Sequence, residues 1–198
     1  MPNSIPCQGL NETSPAGWYS RPLPECVARL TALFAFQREF MRTEAAWLAG
    51  VPYWDAKLAI ADHVLADTRI AEAILKRLHE LKASSAEHKQ IAGLEELVRE
   101  LASARSGDEW LRGLYLHVKP WLAARFSDYL RLGDPVMDAP SHDVLRRAIM
   151  EIEAQVTWFR GFSPTFSSWE QTDTGEWEAY VESVLATTDG FGPAKDPK

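Results

Sequence analysis

Only two cysteines, Cys7 and Cys26, occur among the 198 residues. So small a number excludes a disulfide framework, and no Cys-x-x-Cys spacing is available to hold zinc. The pair reads as two free thiols, with one bridge tying down the N-terminal segment as the alternative. Long apolar runs are missing as well. Nothing approaches the roughly 18 uninterrupted apolar residues of a membrane span. The opening MPNSIPCQGLNETSPAGWYSRPLP lacks the basic start and apolar stretch of a secretory signal. The expected address is cytoplasmic, which makes the sequon Asn11-Glu12-Thr13 a chance match. Basic excess is absent too: 21 Lys and Arg stand against 28 Asp and Glu, a net charge of −7. Acids and bases are interleaved, so no clustered basic face offers itself to nucleic acid. Gly-rich phosphate loops, nucleophile elbows, fixed short repeats and strand-like alternation are not found.

What is present is an ordinary globular balance of 46% hydrophobic and 25% charged residues, enough for a sizeable core in one domain. The eight tryptophans (18, 47, 54, 110, 121, 158, 169 and 177) are suited to packing between helices, with an aromatic-lined pocket as the alternative.

Periodicity predicts an all-α chain. Residues 1–22 read as an irregular arm, with Pro22 and Pro24 setting the start of a first helix over 23–49. Its apolar positions Leu30, Leu33, Phe34, Phe40, Met41, Trp47 and Leu48 recur at helical spacing. Gly50-Val51-Pro52 ends it. A second helix over 54–81 follows after a short turn, so the two form an antiparallel hairpin. A third, more polar helix over 86–104 carries one narrow stripe, Ile91, Leu94, Leu97, Val98 and Leu101, and belongs on the surface. Asp108 is placed to cap a fourth helix over 108–132, with a kink expected at Pro120. Ser141 or Asp143 caps a fifth over 142–160. Residues 161–198 comprise a loop, a short helix near 175–187 and a tail.

The hairpin FAFQREFMRTEAAWLAG…YWDAKLAIADHVLADTRIAEAILKRL and the later LHVKPWLAARFSDYLRLGDPVMDAPSHDVLRRAIMEIEAQVTWF resemble the ferritin-like superfamily over roughly 25–160. The resemblance implies an antiparallel four-helix bundle over 23–160, with an extra crossover helix and a short C-terminal helix. It also implies a dimetal centre: one Glu from each of two helices and a Glu-x-x-His pair from each of the others. Here the pairs are degenerate. Asp67 is retained, Thr68 stands where the Glu belongs and Ala71 where the His belongs. In the last long helix Ile152 and Gln155 take the corresponding inward places. Thr, Ala, Ile and Gln are poor or impossible ligands for iron or manganese, so neither a metal nor a cofactor is expected.

Helical phase also places Gln37 and Glu44 inward, in register with Leu30. The expected centre is a small polar network of Gln37, Glu44, Thr68 and Gln155, with Asp67 or Glu72. Such groups must satisfy one another or bind water. His88 and His142 fall at helix starts and are expected in solvent, while His63 and His79 are directed toward neighbouring helices. His117, beside Lys119 and the Pro120 kink, is either a cavity-lining functional group or a packing residue. Three functions remain open: a metal-free binding or interaction module, with a homodimer or protein partner; a diiron-type oxidoreductase or oxygenase with atypical ligands; and a non-metal enzyme using an interhelical pocket.

Overall fold

The computed structural model describes residues 22–83, 91, 93–163 and 175–188, and every regular element among them is helical. The elements are α1 (Leu23–Trp47), α2 (Trp54–Glu80), α3 (Leu94–Ala102), α4 (Gly107–Arg112), a π-helix (Gly113–Val118), α5 (Lys119–Leu132), α6 (Ala139–Phe162) and α7 (Gly175–Thr187). The arm over 1–21, the cysteine Cys7, His88, the loop after α6 and the tail lie outside the described residues. No described helix is long and apolar enough to cross a membrane.

Each of the four long helices buries one face at alternating three- and four-residue intervals. On α1 that face is Cys26, Leu30, Leu33, Gln37, Phe40 and Glu44. On α6 it is Ser141, Leu145, Ala148, Ile152, Gln155 and Phe159. Burial of such stripes, rather than helix propensity, supplies most of a bundle's stability. The helices close a ring in which α1 packs on α2, α2 on α6, α6 on α5 and α5 on α1. Short turns make α1–α2 and α5–α6 antiparallel pairs. Near the end of α2, Arg77 Nη2 lies 3.1 Å from Asp138 Oδ1 and its Nε donates to Ser141 Oγ at 2.9 Å, so α6 begins where α2 ends. At the opposite pole the Tyr53 hydroxyl donates to Asp108 Oδ2 at 3.3 Å. Residues 81–106 therefore carry the chain from one end of the bundle to the other, and α2 and α5 run parallel across the diagonal.

Several boundaries differ from the sequence reading. Gly93 adopts a φ of 79° at the N-cap of α3, a left-handed conformation through which no α-helix continues. The described third helix accordingly starts at Leu94, and residues 86–90 and 92 of the expected span lie outside the described residues. Ser106, not Asp108, caps α4: its side chain accepts from the Glu109 N–H at 3.1 Å. Glu109 in turn accepts from the Arg105 N–H at 2.5 Å, completing a reciprocal arrangement close to a capping box. Ser106→Ala is expected to destabilise the protein by about 1 kcal/mol, read as a lower midpoint in urea denaturation.

At α6 the N-cap position is Asp138 and Pro140 lies in the first turn, where a missing N–H is harmless. His142 is not in solvent but only 2% exposed, packed between Tyr129 and Gly133. Starting α6 at Ala139 turns that ring inward. Pro120 sits in the first turn of α5, directly after the π-helix. Pro cannot donate to the carbonyl four residues back. The wider π-turn sits where that partner is missing, as insertions of this kind commonly do.

Candidate functional site

Midway along the bundle, each long helix contributes one polar side chain to a buried centre. These are Glu44 of α1, Asp67 of α2, Lys119 of α5 and Gln155 of α6, all buried. Lys119 is the hub. Its Nζ lies 2.5 Å from Glu44 Oε1, 2.7 Å from Asp67 Oδ2 and 2.5 Å from Gln155 Oε1. Three oxygens thus surround an ammonium with three protons. Gln155 Nε2 donates to the other Asp67 oxygen at 3.2 Å, and Gln37 Nε2 reaches the Asp67 carbonyl at 3.5 Å. Asp67 is fully engaged. Glu44 is less fully engaged: among the described residues its two oxygens and Gln37 Oε1 meet no donor in full hydrogen-bonding geometry, although Oε1 lies 2.5 Å from the Lys119 ammonium.

The electrostatics follow from this inventory. Two carboxylates and one ammonium leave an excess negative charge in a low-dielectric interior, which is strongly unfavourable. Burial, then the neighbouring Asp67 charge, raise the Glu44 carboxyl to about 8 against the pull of Lys119. At neutral pH the centre therefore holds an Asp67–Lys119 ion pair beside a protonated Glu44. Burial alone would lower Lys119, but the Asp67 and Glu44 carboxylates outweigh it and raise the ammonium.

A second pair adjoins the hub. His63 Nδ1 and the Tyr115 hydroxyl are 2.6 Å apart, and the Lys119 ammonium lies 5.4 Å from the Tyr115 ring centroid. Burial, and then Lys119, lower His63 to about 4, while burial and the Glu44 and Asp67 charges hold the Tyr115 phenol well above its usual value. With a neutral imidazole and a protonated phenol, the ring's tautomer sets whether Tyr115 O–H donates to Nδ1 or Nδ1–H donates to the phenol oxygen. Trp158 meets the His63 ring edge-on and Phe159 stacks on Tyr115, closing the pair off from α6.

Of the predicted site residues, Gln37, Glu44, Asp67 and Gln155 come together. Thr68 and Glu72 do not. Both are exposed, and Thr68 Oγ1 donates to the Val64 carbonyl at 2.7 Å. The inner face of α2 runs through Ile60, Asp67, Ile70, Ala71, Ile74 and Leu78, and Thr68 lies about 100° from Asp67 around the helix. The inward pair on α2 is thus Asp67 and Ile70, three residues apart. His79 is exposed, and His117 faces α7, away from the centre.

Lys119 itself was not anticipated, because buried lysines are rare. Its signal is nonetheless in the sequence: Tyr115, Lys119, Leu122, Phe126 and Tyr129 follow the same four- and three-residue spacing as the other inner faces. Two buried inward carboxyl groups also call for a cation. The donor set does not fit a dimetal centre, since the only carboxylates of the cluster already face the ammonium. Among the described residues, no three His, Cys, Asp or Glu side chains converge to hold a metal ion.

An open groove of about 530 Å³ runs between α5 and α6, bounded by Pro120, Ala124, Ser127, Glu153, Val156 and Arg160. It contains neither Glu44 nor His117. Comparisons with protein families, with curated proteins and with solved structures find no match.

Proposed function

We propose that this chain is a metal-free ferritin-like bundle acting as a binding or interaction module, with the Lys119 ammonium in the role that a bound cation would take. The order of helices supports the fold assignment: two antiparallel hairpins joined by one long crossover are the connectivity of ferritin-like bundles. The observation that carries the functional reading is the seating of Lys119 between Glu44 and Asp67 at 2.5 and 2.7 Å. An internal ammonium fills the place between these two carboxyl groups and cannot change oxidation state. A role in binding is supported by the outer face of α2, where Trp54, Leu58 and Leu65 are 70%, 51% and 49% exposed. Apolar side chains at that spacing on one helix are characteristic of contact surfaces.

The test is metal analysis of purified protein together with a cation titration of Lys119→Ala. Wild-type protein is expected to carry no stoichiometric transition metal and to leave added Mn²⁺ unbound. Lys119→Ala exposes three oxygen donors and is expected to gain measurable Mn²⁺ affinity. Stoichiometric iron or manganese in the wild type would overturn the proposal and favour the oxidoreductase reading.

A further inference from the structure

We propose that α7 is a strap over the π-helix whose docking is switched by the charge on His117. The argument begins with the number of protons on the ring. His117 Nε2 lies 2.9 Å from Glu178 Oε2, and Nδ1 lies 3.0 Å from Glu182 Oε1. A neutral imidazole has one N–H and can satisfy one of these carboxylates, while its bare nitrogen repels the other. Only the imidazolium satisfies both. Among the described residues, the carboxylates bridged by this ring are Glu178 and Glu182 of α7. Arg112, one helical segment before His117, shares Glu178 through Nε at 2.5 Å.

The rest of the α7 contact is poised rather than secure. Val181, Val184 and Leu185 are its only buried apolar side chains, and it packs on α3, α4 and the π-helix. The rim of the Trp177 indole comes so close to Gly113 that a Cβ there would stand 2.4 Å from it. The seat therefore requires glycine. Among the described residues the buried Trp177 Nε1 has no hydrogen-bond partner, which opposes docking. With a small apolar contact set against an unsatisfied donor, the two charge-assisted bonds to His117 tip the balance. Losing one of them weakens the strap while Arg112 and Glu178 still hold its start.

Hydrogen exchange of α7 amides, corrected for the intrinsic pH effect and taken as a ratio to that of His117→Arg at the same pH, tests this without interference from pH-dependent global stability. In wild-type protein the ratio is expected to rise about ten-fold between roughly pH 5.5 and 8.5. His117→Ala should show a high ratio at both ends, and His117→Arg, permanently charged, is the docked reference. Gly113→Ala, which displaces Trp177 sterically, sets the level of an undocked α7. A wild-type ratio that does not change with pH overturns the proposal whatever the variants do. So does a pH response that persists in His117→Ala.

Discussion

Lys119→Met is expected to destabilise the protein by roughly 3–5 kcal/mol, because it leaves the buried Asp67 carboxylate without its cation. In a chain of this size that corresponds to a fall in Tm of roughly 6–20 °C. The methionine fills most of the lysine's volume, so the loss reports charge rather than a cavity. Adding Glu44→Gln and Asp67→Asn removes the stranded charge, and the triple variant is expected to recover most of the stability. Ion clusters replaced by neutral groups of similar volume are commonly tolerated. Chemical denaturation of the single and triple variants checks both statements. A single variant within about 1 kcal/mol of wild type would show that the ammonium is not the hub.

The second large effect is the pH dependence of stability. The Glu44 carboxyl is raised from 4.5 to about 8 in the folded state, so the folded protein binds the extra proton. That contribution is complete below pH 4.5 and is lost as pH rises through 8. His63 works in the other direction. Lowered from 6.5 to about 4 by burial, it contributes above pH 6.5 and loses that contribution as pH falls toward 4. His142, also lowered chiefly by burial, adds to the acid limb. Between 4.5 and 6.5 the slopes oppose each other, and above 6.5 only that of Glu44 remains. Stability is therefore expected to be greatest in this mildly acidic window and to fall by about 2 kcal/mol between pH 6.5 and 8. Glu44→Gln keeps the shape without the proton, so its alkaline limb should flatten and it should exceed wild type at pH 8 and above. Parallel pH profiles for the two proteins would refute the assignment of that limb to Glu44.

The two effects share one cause, namely an odd number of charges sealed among four helices. They also separate two kinds of buried polar group. Asp67, Lys119 and Gln155 satisfy one another and specify how the helices meet. Glu44 is held by geometry and neutralised by a proton.

Much of the architecture could be read from periodicity. The spans of α1, α2 and α7, the two hairpins and the inward phase of Gln37, Glu44 and Gln155 follow from apolar spacing, which repeats the geometry of a helix directly, while the sequence leaves Asp67 and Glu72 as alternatives. The errors cluster where a neighbour outside the local window decides. Thr68 was placed inward from the family's pattern, although its own helix phase turns it out. His142 was assigned to solvent by its position near a helix start, yet Tyr129 and Gly133 enclose it.

What the amino-acid order determined alone was which face of each helix turns inward, because 3.6 residues per turn convert spacing into direction. Which inward groups touch was decided only by the packing of helices remote in the chain. Lys119 meets Asp67 across 52 positions and Gln155 across 36. Whether a lysine becomes a surface charge or the cation at the centre of a bundle depends on those partners, since only they can offset the loss of its hydration.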